Sequence, residues 1–557
     1  MTRFAVKTHK GAERAPVDSF THGSRGRRGW TLFIACAGVA MVIASMIALN
    51  TALSDIAIAT AATQTQLTWI VDSYTLLLAC LLLPAGAIGD RYGRRSALLV
   101  GTAIFALASA APLFFDSPLQ IIAARGLAGA GAAFVMPATL SLLTVAYPPE
   151  ARAKAVGIWA GVAGTAGLFG LVGTGLLIEF FDWHAIFWTL AIGGLLVFVL
   201  TLTIAESRDA DSPRLDVPGA VTIGAAVAVF VFGILQAPAY GWSDPRVFGC
   251  LIVGAVLAVV FGFIELRRPQ PLLDIRLFGH PNFGTGAAAI TVIFLATFAL
   301  VFLVVQYMQQ IMGYSALVAA VALSPMGLPL LTLSTLSSWY VPKLGLRVVV
   351  FVSMALISVG YLCMCTLDVD SSYLEVLWPL MVVAAGIGLC TAPTTSAIMS
   401  AAPDRKQGVA SAVNDATREV GGALGIALAG SILAGSYSHR IASALGDYPE
   451  PVRGPAADSL SKALAVANQL GPQGLQLADR SKEAFVAASH SSYAVLAIIV
   501  AVLAFIIPVF APGRDGQQLS VVRRLRNRGA EPAAATADRS APTAVEASSF
   551  SAGTTRE

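Results

Sequence analysis

The stretch Gly86-Ala87-Ile88-Gly89-Asp90-Arg91-Tyr92-Gly93-Arg94-Arg95 decides how this chain is read. Three glycines, one acid and three guanidinium groups share a short turn between two apolar runs. Asp90 closes the first run, where its carboxylate can pair with Arg94 or cap the start of the next helix. Such a cluster can hold two helices together in one state and release them in another. A plain positive anchor at a membrane face would account for the arginines but not for the Gly-Asp spacing. Gly86, Asp90, Arg91, Gly93, Arg94 and Arg95 are therefore read as a gating loop.

Outward from this turn the chain is apolar almost throughout. Of 557 residues, 56% are hydrophobic and 12% charged, against about 25% charged in a soluble protein. Mean hydropathy is +0.74. Apolar runs long enough to cross a hydrocarbon core recur along the sequence, so the fold class is an all-α multi-pass membrane protein. Fourteen spans are expected, near 30–53, 66–88, 97–115, 119–145, 155–178, 185–205, 217–238, 247–266, 284–309, 317–338, 348–367, 375–399, 409–435 and 492–511. The first follows a long basic segment and exceeds a signal-peptide core, so it reads as a retained span. The net charge of +4 argues against nucleic acid as a partner. All six cysteines lie in apolar runs, as small filler and not as metal ligands or a disulfide framework, and no metal or cofactor is expected.

With the N-terminus in the cytoplasm, 28 of the 36 Lys and Arg residues fall on the cytoplasmic side, and both termini lie there. The loop after span 2 reads Gly93-Arg94-Arg95 and the loop after span 10 reads Gly345-Leu346-Arg347, 252 residues on. Pro149-Glu150 after span 4 returns as Pro403-Asp404 after span 12, 254 residues on. Two parallel six-span halves follow, with spans 7 and 8 inserted between them. Repeats of this kind are a transporter signature, with the substrate site between the halves. The expected organisation is a tail at 1–29, a first bundle at 30–205, a linker with two inserted spans at 206–283, and a second bundle at 284–511. An external segment at 436–491 interrupts the second bundle, and a second cytoplasmic tail occupies 512–557.

The gating loop resembles the signature of the major facilitator superfamily between spans 2 and 3. Arg125-Gly126-Leu127-Ala128-Gly129-Ala130-Gly131 is similar to that family's span 4 motif, and Gly161 to Gly175 to its span 5 antiporter motif. The span count resembles the fourteen-span EmrB/QacA type of drug:proton antiporter. So do Leu67-Thr68-Trp69-Ile70-Val71-Asp72-Ser73-Tyr74 and Asn414-Asp415-Ala416-Thr417-Arg418-Glu419. The resemblance implies a bacterial plasma-membrane exporter of organic compounds. In that family span 1 usually carries an acid some five positions before an Asn. Here Asn50-Thr51-Ala52-Leu53-Ser54 keeps the Asn, and Ser45 stands in the acid's place.

Five charged residues fall inside the spans: Asp72, Arg125, Asp415, Arg418 and Glu419. A charge at mid-membrane costs roughly 2.5–3.5 kcal/mol even on lenient scales, so each needs a partner, water or a task. Asp72 and Arg125 sit at similar depths in spans running the same way, and can pair. Asp415 and Arg418, three residues apart, can pair on one helix face. Asp72, Asp415 and Glu419 are the candidates for proton coupling, with Arg125 and Arg418 as their buried partners. Asn50, Trp69, Tyr74, Trp159, Gln306, Tyr307, Gln309 and Asn414 are candidate lining groups for a cationic or amphipathic molecule. No Gly-x-Ser-x-Gly, His-Glu-x-x-His or Gly-Lys-Ser/Thr motif occurs, which disfavours an enzyme or a nucleotide-driven pump. The leading expectation is a monomeric, proton-coupled exporter of small organic molecules. A dedicated natural-product exporter, or a uniporter or importer without antiport, stands beside it.

Overall fold

The computed structural model describes residues 25–49, 52–115, 117–207, 215–446, 448–514 and 516–518. The two expected tails lie almost wholly outside these residues, and so does Asn50. The described residues are helical, with no strand among them.

The first group runs α1 (Arg25–Ala48), a short α2 (Leu53–Thr60), α3 (Gln64–Tyr92), α4 (Arg94–Ala110), α5 (Pro118–Ala146), α6 (Pro149–Phe180) and α7 (His184–Thr201). A hairpin of α8 (Val217–Tyr240) and α9 (Pro245–Arg267) follows. The second group is α10 (Pro281–Gln310), α11 (Ala316–Leu323), α12 (Gly327–Thr335), α13 (Ser337–Met364), α14 (Tyr373–Ala401) and α15 (Gln407–Ile441), then short α16 (Glu450–Asp458) and α17 (Leu460–Leu470), and last α18 (Leu475–Phe510). Fourteen helical segments are long and apolar enough to cross a membrane, as the hydropathy predicts, with α11 and α12 forming one of them.

Local chemistry sets the helix starts. Thr63 and Gln66 form a reciprocal capping box at α3, and Ser372 and Glu375 form another at α14. Proline occupies the first turn of α5, α6, α9 and α10, where its missing N–H leaves nothing unpaired. The final span is the chief departure from the hydropathy reading. α18 opens at Leu475, not near 492, and α15 continues past 435. Asp479, Arg480, Lys482 and Glu483 make the first turns of α18 too polar to read as part of a membrane span. At 36 residues α18 is about 54 Å long, well beyond a hydrocarbon core of about 30 Å. The expected external segment 436–491 therefore contains the projecting ends of two spanning helices, with α16 and α17 packed between them through Val452, Ala456, Leu460 and Ala463.

The internal repeat is visible in the backbone. Gly93 (φ 120°) and Gly345 (φ 76°) both lie in the region that side chains avoid. Gly93 separates α3 from α4, and Gly345 breaks α13 at the corresponding turn. Two residues further, each half uses an arginine in the same way. Arg95 donates from Nε to the Thr201 carbonyl (3.2 Å) and from Nη2 to that of Leu202 (2.9 Å). Arg347 donates from Nε and Nη2 to the Ala511 carbonyl (3.2 and 2.8 Å). Each satisfies orphan carbonyls at the end of its half's last helix, α7 or α18. Between the halves, α3 and α5 meet α15, while α6 meets α12 and α14; α8 lies against both α3 and α15 and so straddles the seam.

A Cβ at residue 345 would sit 2.6 Å from the Arg514 backbone nitrogen, whereas nothing lies within 4 Å of one at Gly173. Gly345→Val is expected to lower the melting temperature of the purified protein by about 1–2 °C, since a positive φ costs a branched residue ~1–2 kcal/mol and the unfolding entropy of so long a chain is large. Gly173→Val provides the control, and equal melting of the two variants would contradict the assignment.

Candidate functional site

The loop around Asp90 bonds the two halves together, as a lock, at the end of the bundle where the basic loops gather. Asp90, in the last turn of α3, is 5% exposed, and its Oδ1 accepts from Arg94 Nη2 (2.8 Å) and Nε (3.0 Å). The same carboxylate accepts the backbone N–H groups of Gly408 (2.9 Å) and Val409 (3.1 Å). These are first-turn donors of α15, in the other half. The sequence allows Asp90 either to pair with Arg94 or to cap the next helix; it does pair with Arg94, but the helix it caps lies 318 residues away. The anion completes the unpaired N–H groups and opposes the dipole of α15. Arg94 Nη2 also donates to the Asp404 carbonyl (2.9 Å), and Arg152 Nη1 pairs with Asp404 Oδ1 (3.3 Å). Gly86 permits the approach, because a Cβ there would lie 2.5 Å from the Gly408 carbonyl oxygen. Gly93 makes room for Glu206, whose carboxylate receives the N–H groups of Arg95 and Ser96. Arg91 lies beside the exposed Tyr92 ring, 5.4 Å from its centroid.

Deeper in the first half, Arg125 is buried at 2% exposure. Its Nη1 donates to Ser45 Oγ (3.0 Å), Nη2 to the Ser45 carbonyl (3.1 Å) and Nε to the Ile70 carbonyl (3.3 Å). The guanidinium lies 4.3 Å from the Tyr74 ring centroid, and Tyr74 donates its hydroxyl to the Val42 carbonyl (2.9 Å). The expected pair of Arg125 with Asp72 is not made. Residues 70 and 74 share the face of α3 that meets α5, and Asp72, two positions from each, points elsewhere. The serine at the acid's usual place is thus a direct partner of the motif arginine.

In the second half, Asp415 and Arg418 do not form the expected ion pair either. Arg418 Nη2 donates to Thr395 Oγ1 (3.1 Å), and its guanidinium reaches across the seam to 5.1 Å from the Trp159 ring and 5.0 Å from that of Phe294. Thr395 donates to Asn414 Oδ1 (3.0 Å), and Asn414 Nδ2 donates to Asp415 Oδ1 (3.0 Å). Asp415 Oδ2, Glu419 Oε2 and Arg418 Nε are buried without hydrogen-bond partners. Glu419 is within electrostatic reach of Asp415 and Arg418, and of Tyr74 in the other half. The arrangement thus gathers Tyr74, Arg125, Trp159, Asn414, Asp415, Arg418 and Glu419 about the seam.

The remaining lining candidates sit apart from this group. Trp69 packs its ring 5.8 Å from Phe232 of α8. Gln306 bonds to the Phe302 carbonyl of its own helix, Tyr307 donates to the Asp368 carbonyl, and Gln309 is exposed. A cleft of about 490 Å³ opens between the halves beside the lock. Thr144, Arg152 and Val156 line it from the first half, and Ser337, Ser396 and Gln407 from the second. Sequence reasoning missed the roles of Arg152 and Asp404, although the Pro-acid repeat marks both loops, and that of Thr395, which carries no charge or motif to draw attention.

Comparison with known proteins adds a lineage to this geometry. The profile of the Major Facilitator Superfamily matches residues 32–426. The chain is 30% identical over 426 residues to the multidrug resistance protein Stp of Mycobacterium tuberculosis (strain CDC 1551 / Oshkosh), covering 76% of this chain and 79% of that one. It is 32% identical over 422 residues to the tetracenomycin C resistance and export protein of Streptomyces glaucescens, covering 74% and 77%. Among solved structures, the human organic anion transporter MFSD10 (TETRAN) superposes with a TM-score of 0.56 over 86% of this chain and 99% of that one, at 12% identity, a likeness of fold.

If the lock depends on close approach of α3 and α15, Gly86→Leu will hold the two helix ends apart. Spin labels at Tyr92→Cys and Ser400→Cys, with the six native cysteines replaced, would report this as a shift of the main distance population to longer values. Asp90→Asn should add a longer population without abolishing the short one. Unchanged distributions in both variants would contradict the lock.

Proposed function

The chain belongs to the major facilitator superfamily, and from that premise we propose that it exports drug-like organic molecules across the bacterial plasma membrane in exchange for protons. Its basic end, with both termini, faces the cytoplasm, as the distribution of Lys and Arg favours. The halves rock about the seam, and a monomer suffices because a single chain contains both. The reading is of transport without a catalysed reaction or a bound cofactor. The printed names of the relatives, a multidrug resistance protein and an antibiotic resistance and export protein, support the direction and the substrate class.

The observation that carries this reading is the Asp90 lock, because it ties the halves through hydrogen bonds that a rocking motion can break and remake. While it is made, the basic end of the seam on the α3–α15 side is closed. In that state the partnerless Asp415 Oδ2 and Glu419 Oε2 are acceptors without donors, which is where a proton taken from outside would reside. Arg418, held by Thr395 and two aromatic rings, stands between these carboxyls and the first half. A cationic or amphipathic substrate would pack against the neighbouring rings of Trp159 and Phe294 once the protons leave. With a neutral substrate, one charge falling through ~100 mV supplies ~2.3 kcal/mol, enough for roughly a fifty-fold gradient, whereas a monovalent cation exchanged for one proton moves no net charge and draws on the pH gradient alone.

Ser45 favours a second reading, uniport or import, because the hydroxyl beside Arg125 cannot carry the proton that an acid there would. Proteoliposomes with an imposed pH gradient separate the two. Glu419→Gln and Asp415→Asn are expected to reduce gradient-driven transport of a cationic dye such as ethidium at least about tenfold while sparing dye exchange at equal pH; Asp72→Asn should change it less than about threefold. Gradient-independent transport in the parent, unaffected by these substitutions, would establish the second reading. A parent that moves no member of a broad panel of toxic cations would overturn export of such compounds.

A further inference from the structure

The inserted hairpin carries a buried group of charges that the transport cycle described above does not use. Asp216 caps α8, its Oδ1 accepting the Gly219 N–H (3.1 Å), and Glu265, two residues from the end of α9, accepts the Leu273 N–H on Oε2 (3.1 Å). They are 7% and 3% exposed. Each keeps one oxygen without a hydrogen bond, Asp216 Oδ2 and Glu265 Oε1. Those two oxygens converge, lying 3.1 Å and 2.3 Å from the point where a Cβ on Gly219 would stand. Arg268 Nε reaches Asp216 Oδ2 only at 3.8 Å. Lys406, immediately before α15, donates Nζ to the Pro271 carbonyl in the connector that Glu265 holds through Leu273 (2.6 Å). Its ammonium, lowered by burial below the ordinary lysine range, also feels Asp274, Glu265 and Asp90. Gly408, the residue bonded to Asp90, is two positions further along.

We propose that Glu265 carries one exchangeable proton, held against the free oxygen of Asp216 at the cytoplasmic base of the inserted hairpin, and that its release loosens the Asp90 lock through Lys406. With the proton present, Glu265 donates to the free oxygen of Asp216, and both orphan oxygens are satisfied. With it gone, two carboxylates face each other in a buried site, with Arg268 exposed and Lys406 committed to Pro271. Glu265 then turns away and frees Leu273, the connector carrying the Pro271 carbonyl shifts, and Lys406 loses its tether. The first turn of α15, anchored at Lys406 on one side and Asp90 on the other, is left with Asp90 alone. The locked state thus binds one more proton than the open state, so raising the pH favours opening to the cytoplasm. The inserted hairpin, whose α8 lies on the seam against α3 and α15, serves on this view as a proton-reading strap across the lock.

This inference rests on the proposed orientation but needs neither a substrate nor a pH gradient, so its test stands apart from the test of export. The full-length chain, reconstituted in nanodiscs with the Tyr92→Cys and Ser400→Cys label pair, also carries Asp415→Asn and Glu419→Gln to silence the interior carboxyls. Raising the pH from about 6 to about 8.5 is expected to increase the long-distance population about threefold or more. Asp216→Asn with Glu265→Gln retains the helix cap and the Leu273 acceptor and should flatten that response, as should Lys406→Met. A flat response before these substitutions overturns the proposal. So does a rise that survives the loss of both carboxyls, and a rise that survives Lys406→Met overturns the route through lysine. Glu265→Gln alone, the milder variant, should flatten the response as well, and a rise undiminished by it tells against the shared proton.

Discussion

One carboxylate bonded to the first turn of a distant helix organises this molecule. Asp90 satisfies donors that helix geometry leaves unpaired, and it does so from the opposite half of the chain. A charge-assisted hydrogen bond to a buried N–H contributes about 1.5–3 kcal/mol, so the cluster holds strongly yet remains within reach of a proton or a ligand. Around that bond the rest is arranged for access: Gly86 for close approach, Gly93 for the turn, Arg94 to balance the charge, and Glu206 to hold the next helix start.

The interior follows a different logic. In the first half the motif arginine is spent on a serine, two carbonyls and a tyrosine ring, a fully structural set of partners that knits α1, α3 and α5. In the second half the charges on α15 are left partly unsatisfied, with carboxyl oxygens lacking donors and an arginine leaning on aromatic faces. With a serine beside Arg125, the buried carboxyl oxygens without donors in this interior are those on α15, in the second half. The seam is where the two sets meet, through Arg418 and Trp159.

Much of this was legible in the residues and some was not. The spans follow from hydropathy because a helix in lipid must be apolar over about 20 residues, and all but the last begin close to where the pattern changes. α18 escaped because its first turns stand clear of the membrane and are free to be charged. The repeat was readable from two loop motifs, since Gly93 and Gly345 answer the same backbone demand. Partners were another matter. Asp90 binds backbone N–H groups, which carry no sequence signal, and Arg125 and Arg418 bond to hydroxyls, carbonyls and rings in place of the expected Asp72 and Asp415. Proximity along a helix gives a side chain a neighbour; only the packing of a second helix decides whether that neighbour is on the right face.

α15 is one uninterrupted rod without a proline, beginning at the lock, carrying residues 414–419 in its first half and ending beyond the membrane against α16. A rod transmits torque. Any grip on its far end, by a binding protein raised against the α16–α17 cap, would bear on the hydrogen bonds at Asp90 from the opposite face of the membrane, with no joint between to absorb the load. The cap is in that sense a handle, and the Asp90 hydrogen bonds are at the other end of it.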